Sequence, residues 1–101
     1  MPKYEIHTVE PGIEAERPHP GGILQIVAEC YPAHQVLGEF ASDDKAKEAA
    51  RVLQAKHDAE AMRRVKQMGF VMLREPEDLA PHRPVYSERI YRVGGAGFEK
   101  V

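Results

Sequence analysis

The chain has 101 residues and a mass of 11.4 kDa, which fits one small domain with a single core. Its 14 basic and 16 acidic residues nearly balance, and the isoelectric point is about 6.2. This balance argues against a strongly basic nucleic-acid coat protein and against an acidic tail. The single cysteine, Cys30, excludes an internal disulfide, and the longest apolar run, at 70–73, is much too short to cross a bilayer. We therefore expect a cytoplasmic protein that makes no contact with a membrane.

Three segments before the middle of the chain show patterns typical of strands. Residues 4–9 alternate between two faces and predict a short strand. Residues 23–31 predict a second strand, and residues 34–40 predict a third, on which Val36 and Phe40 share a face. Because only two residues separate the second and third runs, they are expected to form an antiparallel hairpin.

A long helix is predicted over residues 43–68, a range without glycine or proline. Ser42 is suited to cap its first turn, and Gly69 is placed to end it. One face of this helix forms a stripe that is mostly alanine, which would allow close packing on a sheet. The stripe consists of Ala46, Ala49, Ala50, Leu53 and His57.

Beyond Asp58 the apolar face of the helix shifts, because Met62 and Val65 lie a quarter turn or more away from the stripe. Either the helix breaks near His57 and Asp58, where Asp58 would cap a second helix, or its second half packs on another surface. That surface is either the chain's own C-terminal strands, reached by a bend, or a partner subunit. Met62, Val65 and Met68 are therefore the candidate residues for a protein interface.

The C-terminal part of the chain predicts two further strands, at 70–73 and 85–93. Irregular loops are expected at 10–22 and 75–84, and a flexible glycine-rich tail at 94–101. The order β-β-β-α-β-β indicates a single α+β domain. Its antiparallel or mixed sheet would pack on one long helix that is bent or broken.

Candidate chemical groups are few. Cys30 and His34 are spaced like one half of a metal site, but zinc needs three or four ligands, so we expect no metal and no cofactor. The neighbours of Cys30 are Glu29 and Tyr31, which would not stabilise a thiolate. His57 is expected to be a core histidine with one hydrogen-bond partner. No catalytic residue can be assigned, and the sequence favours a non-catalytic protein without deciding the question. If the protein were an enzyme, we would expect the loops at 10–22 and 76–84 to form the walls of its active site.

Basic residues concentrate at 43–75, which holds eight basic and six acidic side chains. The leading hypothesis is a small non-catalytic interaction module that self-associates or docks on a protein partner. The alternative is a nucleic-acid-binding module, in which a basic cluster near the end of the helix follows a phosphate backbone. The residues of that cluster are Lys56, Arg63, Lys66 and Arg74.

Overall fold

The computed structural model describes residues 3–11, 27, 30, 35–69, 74–79, 83–94 and 97–101. Within these ranges a four-stranded antiparallel sheet packs with one face on a long helix, so the predicted α+β class is confirmed. None of the helices in these ranges combines the length and apolar character needed to cross a membrane. The strands are β1 (Lys3–His7), β2 (Val36–Phe40), β3 (Ile90–Gly94) and β4 (Gly97–Lys100); the long helix is α1 (Asp43–Gln67), and Pro76–Leu79 and Tyr86–Glu88 form 3₁₀ helices.

The order of the strands in the sheet is β2-β1-β3-β4, with β1 and β3 at the centre. Ile6 on β1 lies opposite Ile90 on β3, and both are buried in the core that α1 completes. Because opposite residues on antiparallel strands share a face, the register assigns each side chain of the sheet to one of its two faces. The face towards α1 carries Tyr4, Ile6, Phe40, Ile90, Arg92 and Glu99. The face turned away from α1, here called the outer face, carries Lys3, Glu5, His7, Val36, Glu39, Tyr91, Val93, Phe98 and Lys100.

β2 contains a bulge at Gly38. The register between β1 and β2 shifts within this strand, and Gly38 has a φ of +143°, which a side chain would strain. The extra residue turns both Leu37 and Phe40 towards α1, where both pack against the core. The prediction that Val36 and Phe40 share a face is therefore wrong, since Val36 lies opposite His7 on the outer face.

We expect Gly38→Ala to lower the free energy of unfolding by more than about 1 kcal/mol. The added Cβ would lie 2.8 Å from Cζ of Phe40, on a backbone that already has positive φ. Gly94→Ala is the matched control, because its Cβ would meet nothing within 4 Å. Urea unfolding of both variants measures the difference, and equal stabilities would show that the bulge does not need glycine.

α1 is a single uninterrupted helix. The hydroxyl of Ser42 accepts a hydrogen bond from the backbone N–H of Lys45 at 3.2 Å, and Gly69 follows the helix with a φ of +92°. The predicted start and end of the helix are confirmed to within one residue. The predicted alternative of a break is wrong, because the helix runs without interruption through His57 and Asp58.

The second half of α1 packs on the protein's own residues. Met62 is 8% exposed and Val65 is fully buried, and both belong to the same cluster as the sheet residues. Their partners in that cluster include Leu79 and Tyr86 from the two 3₁₀ helices and Val27. The apolar face of α1 therefore shifts because its first half packs on the sheet and its second half packs on the segments that precede β3.

The prediction of a strand at 23–31 is wrong at the two residues of this range that the structure describes. Val27 and Cys30 are both helical, and both contact the core. Residues three apart share a face in a helix but lie on opposite faces of a strand, so the helical state allows both contacts. Among the described residues β2 pairs with β1, and the other residues of 23–31, on which the predicted hairpin depends, lie outside the described ranges.

The strand predicted at 85–93 begins only at Ile90, because Tyr86–Glu88 is a 3₁₀ helix that buries Tyr86. The tail predicted at 94–101 contains β4, whose Gly97 lies opposite Gly94 of β3. The glycine content of this segment predicted mobility, but the neighbouring edge of β3 supplies the backbone partners that order it.

Two other predictions rest mainly on undescribed residues. The strand at 70–73 lies outside the described residues, and so does the loop at 10–22 from residue 12 onwards. The loop predicted at 75–84 includes the short helix Pro76–Leu79, whose Leu79 is fully buried.

Candidate functional site

A network of polar side chains joins the middle of α1 to the segment that precedes β3. The amide nitrogen of Gln54 donates to the carbonyl oxygen of Pro84 at 2.9 Å and to a carboxylate oxygen of Asp58 at 3.1 Å. The backbone N–H of Tyr86 donates to the amide oxygen of Gln54 at 2.7 Å. A guanidinium nitrogen of Arg83 lies 3.2 Å from the second carboxylate oxygen of Asp58. These bonds hold the segment in place.

The ion pair between Arg83 and Asp58 is largely buried, with the side chains 14% and 9% exposed. A hydrogen bond to a buried charge contributes more to stability than one on the surface, because the charge left behind cannot regain its water. By contrast, the ion pair between Lys47 and Asp43 lies on the surface, with side chains 55% and 45% exposed.

Arg83→Ala should lower the free energy of unfolding by about 2 kcal/mol, since it removes a charge-assisted bond from a buried carboxylate. Lys47→Ala, which removes an exposed pair, should change it by less than about 0.5 kcal/mol. Chemical denaturation of the two variants compares them directly. Equal effects would contradict the assignment of a structural role to the network.

His57 joins the same region through the hydroxyl of Tyr86, which lies 2.8 Å from Nδ1. The rings meet edge to face, and Tyr86 is fully buried. Burial raises the pKa of the Tyr86 hydroxyl, with Asp58 and Cys30 adding to the effect. The prediction of a core histidine with a hydrogen-bond partner is confirmed. The buried hydroxyl of Tyr86 thus orients the ring of His57.

Burial lowers the pKa of His57 below its ordinary value of 6.5, and the charge of Lys56 lowers it further. The imidazole of His57 therefore binds a proton more readily in the unfolded chain than in the folded one. The contribution of His57 to stability is present above pH 6.5 and is lost as the pH falls through that value and below.

The free energy of unfolding of the wild type should thus fall more steeply between pH 7.5 and pH 5 than that of His57→Gln, in which this histidine no longer titrates. Urea titrations across that range measure both slopes. Coincident slopes would show that His57 does not titrate differently in the folded state.

Cys30 packs against the core. His34, which is four residues after Cys30, lies outside the described residues. Among the residues that the structure describes, no group of three or more histidine, cysteine, aspartate or glutamate side chains is arranged to hold a metal ion.

The outer face of the sheet carries a cluster of aromatic rings. The ring of His7 meets the rings of Tyr91 and Phe98 edge to face, with centroids 5.3 Å apart in both cases. Glu5 accepts a hydrogen bond from Nε2 of His7 at 3.2 Å, and this pair is largely buried. Tyr91 is only 4% exposed, whereas Phe98 is 53% exposed. We call His7, Tyr91 and Phe98 the outer patch.

The outer patch was missed by sequence reasoning because its residues come from three strands, of which one was predicted to be a tail. A signal was present nonetheless. Tyr91 and Val93 alternate with polar residues, and after the glycines the apolar Phe98 is again followed by a polar residue, Glu99. Read as a further strand that pairs with the preceding one, that pattern places Phe98 on the same face of the sheet as Tyr91.

The predicted interface residues are not brought together on the surface. Met62 and Val65 are enclosed by the protein's own core, so the apolar face that motivated the prediction is already covered. Met68 is 67% exposed and follows the last residue of α1. A docking surface built on these three residues would have a single accessible side chain.

The predicted basic cluster is exposed, but part of its charge is compensated. A guanidinium nitrogen of Arg63 lies 2.6 Å from Glu60, and Arg64 lies 2.8 Å from the same carboxylate oxygen. These bonds lower the pKa of Glu60 to about 2 and keep it ionised. Lys56, Lys66 and Arg74 are exposed as predicted.

The chain matches no protein-family model, and neither the curated proteins nor the solved structures gave a similar protein.

Proposed function

We propose that the protein is a small non-catalytic interaction module that docks on a protein surface through the outer patch. The observation that supports this most directly is the half-exposed ring of Phe98, which rests on a buried cluster formed by His7 and Tyr91. A large apolar ring that is exposed to solvent and already contacts a neighbouring ring is suited to anchor an interface.

The surroundings of Phe98 favour a protein partner. Lys3 and Glu39 lie on the same face of the sheet, exposed and 3.8 Å apart, so that charged groups border the apolar centre. An apolar centre with a polar margin is the usual arrangement at protein interfaces. Binding of nucleobases would require exposed ring faces, whereas Tyr91 and His7 are packed edge to face and largely buried.

The alternative is nucleic-acid binding through Lys56, Arg63, Lys66 and Arg74. It receives less support because Glu60 occupies both Arg63 and Arg64 and reduces the positive charge that phosphates would meet. We also propose that the protein acts in the cytoplasm. Disulfides are rare in that compartment, and a chain with a single cysteine forms no internal disulfide.

The test compares two variants that place a charge on an exposed apolar side chain. Phe98→Glu alters the outer patch, and Val52→Glu alters a side chain on α1 that is 64% exposed. Native mass spectrometry of untagged protein from its own host should detect the wild type and Val52→Glu in assemblies. Phe98→Glu should appear at the mass of one chain, because a carboxylate in the contact cannot be desolvated.

Far-ultraviolet circular dichroism would check that both variants remain folded. The proposal is contradicted if Phe98→Glu assembles like the wild type. Nucleic-acid binding would replace docking on a protein as the proposed function if, in addition, charge reversal at Arg63 and Lys66 abolished binding to an oligonucleotide.

A further inference from the structure

We infer that the partner docked at the outer patch is a second copy of this chain, which pairs its β4 with the β4 of the first. This inference rests on the proposed function and specifies its partner. Phe98 links the two, because it belongs both to the outer patch and to a strand at the edge of the described sheet. The result would be a continuous sheet across two copies, with a two-fold axis through the middle of β4.

The two edges of the described sheet differ in their fitness for such pairing. β2 carries the bulge at Gly38, and bulges protect an edge by twisting it away from other strands. β4 pairs with β3 in an unbroken register over all four residues, and each of these residues is exposed. The regular edge is therefore β4.

The register also fixes which backbone groups of β4 point outwards. The N–H of Val101 donates to the carbonyl oxygen of Ile90 at 3.0 Å, so Val101 directs its backbone groups towards β3. Because this direction alternates along an antiparallel strand, Glu99 also points towards β3. Phe98 and Lys100 point their N–H and C=O groups to the opposite side, where a further strand would bind.

An axis through Glu99 uses all of these outward groups. It places Phe98 of each copy opposite Lys100 of the other, which gives four backbone hydrogen bonds. On the outer face, the apolar stem of Lys100 would cover the ring of Phe98, and its ammonium group would lie near the ring. An axis through Phe98 would instead place Phe98 of one copy opposite Phe98 of the other. No other outward-pointing residue of β4 would then have a partner within the strand, so only two backbone hydrogen bonds would form.

The same axis brings the two Glu99 side chains opposite each other on the face that packs on α1. Like charges in this position are unfavourable by themselves. Each Glu99, however, lies opposite Arg92 on β3. The four side chains would form the row Arg92, Glu99, Glu99, Arg92 across the dimer, in which every carboxylate has a guanidinium neighbour. The charges in this row balance.

Disulfide trapping tests the register. In a Cys30→Ala background, Glu99→Cys would place two thiols opposite each other across the axis, with Cβ atoms about 5 Å apart, close enough to be drawn into a disulfide. Lys100→Cys is the matched control, because the two copies of that residue would be about 8 Å apart, beyond the reach of a disulfide. Oxidation should convert Glu99→Cys to a dimer on a non-reducing gel and leave Lys100→Cys mostly monomeric.

A backbone variant tests the hydrogen bonds independently. Lys100→Pro removes an N–H that points away from β3, so the fold should persist while the dimer is lost. Lys100→Arg keeps the N–H and a long cationic side chain, and should retain the dimer mass. Native mass spectrometry measures both, and circular dichroism confirms folding.

The outcomes separate this inference from the proposed function. A monomeric wild type, equal crosslinking of the two cysteine variants, or a dimeric Lys100→Pro would overturn the inference. If Phe98→Glu still abolishes binding to a different protein in those cases, the proposed function stands. If Phe98→Glu changes nothing, both fall.

Discussion

The close packing of one alanine-rich helix on one face of the sheet is the constraint on which the rest of the structure depends. Ala46 and Ala50 are fully buried and lie in the same core cluster as Ile6 and Ile90, so helix and sheet approach each other without large side chains between them. A single helix can cover only one face of a sheet. Among the described residues, the aromatic rings of His7, Tyr91 and Phe98 cover part of the opposite face.

The length of α1 has a second consequence. At about 1.5 Å per residue, a helix of 25 residues is longer than the short strands it covers, and its second half extends past the sheet. Met62 and Val65 complete a core there with Leu79 and Tyr86, and the network around Gln54 and Asp58 fixes the chain that leads into β3. The helix thereby positions β3, and β3 positions β4.

Sequence reasoning succeeded where local rules decide the outcome. The cap at Ser42, the stop at Gly69 and the alternation in β1 depend on near neighbours, and all three are found in the structure. It failed where distant contacts decide. The helical state of Val27 and the burial of Tyr86 depend on α1, and β4 forms because β3 lies beside it. The outer patch combines three strands, so no single segment could reveal it.

Concentration-dependent NMR spectra would test the central claim most directly. The account predicts that raising the protein concentration shifts the ring protons of Phe98 and Tyr91 and the amide protons of Phe98 and Lys100, while signals of Val52 and Lys56 stay constant. These groups lie at the outer patch and on the outward edge of β4. Shifts centred on Lys56, Lys66 and Met68, or no shifts at any concentration, would contradict it.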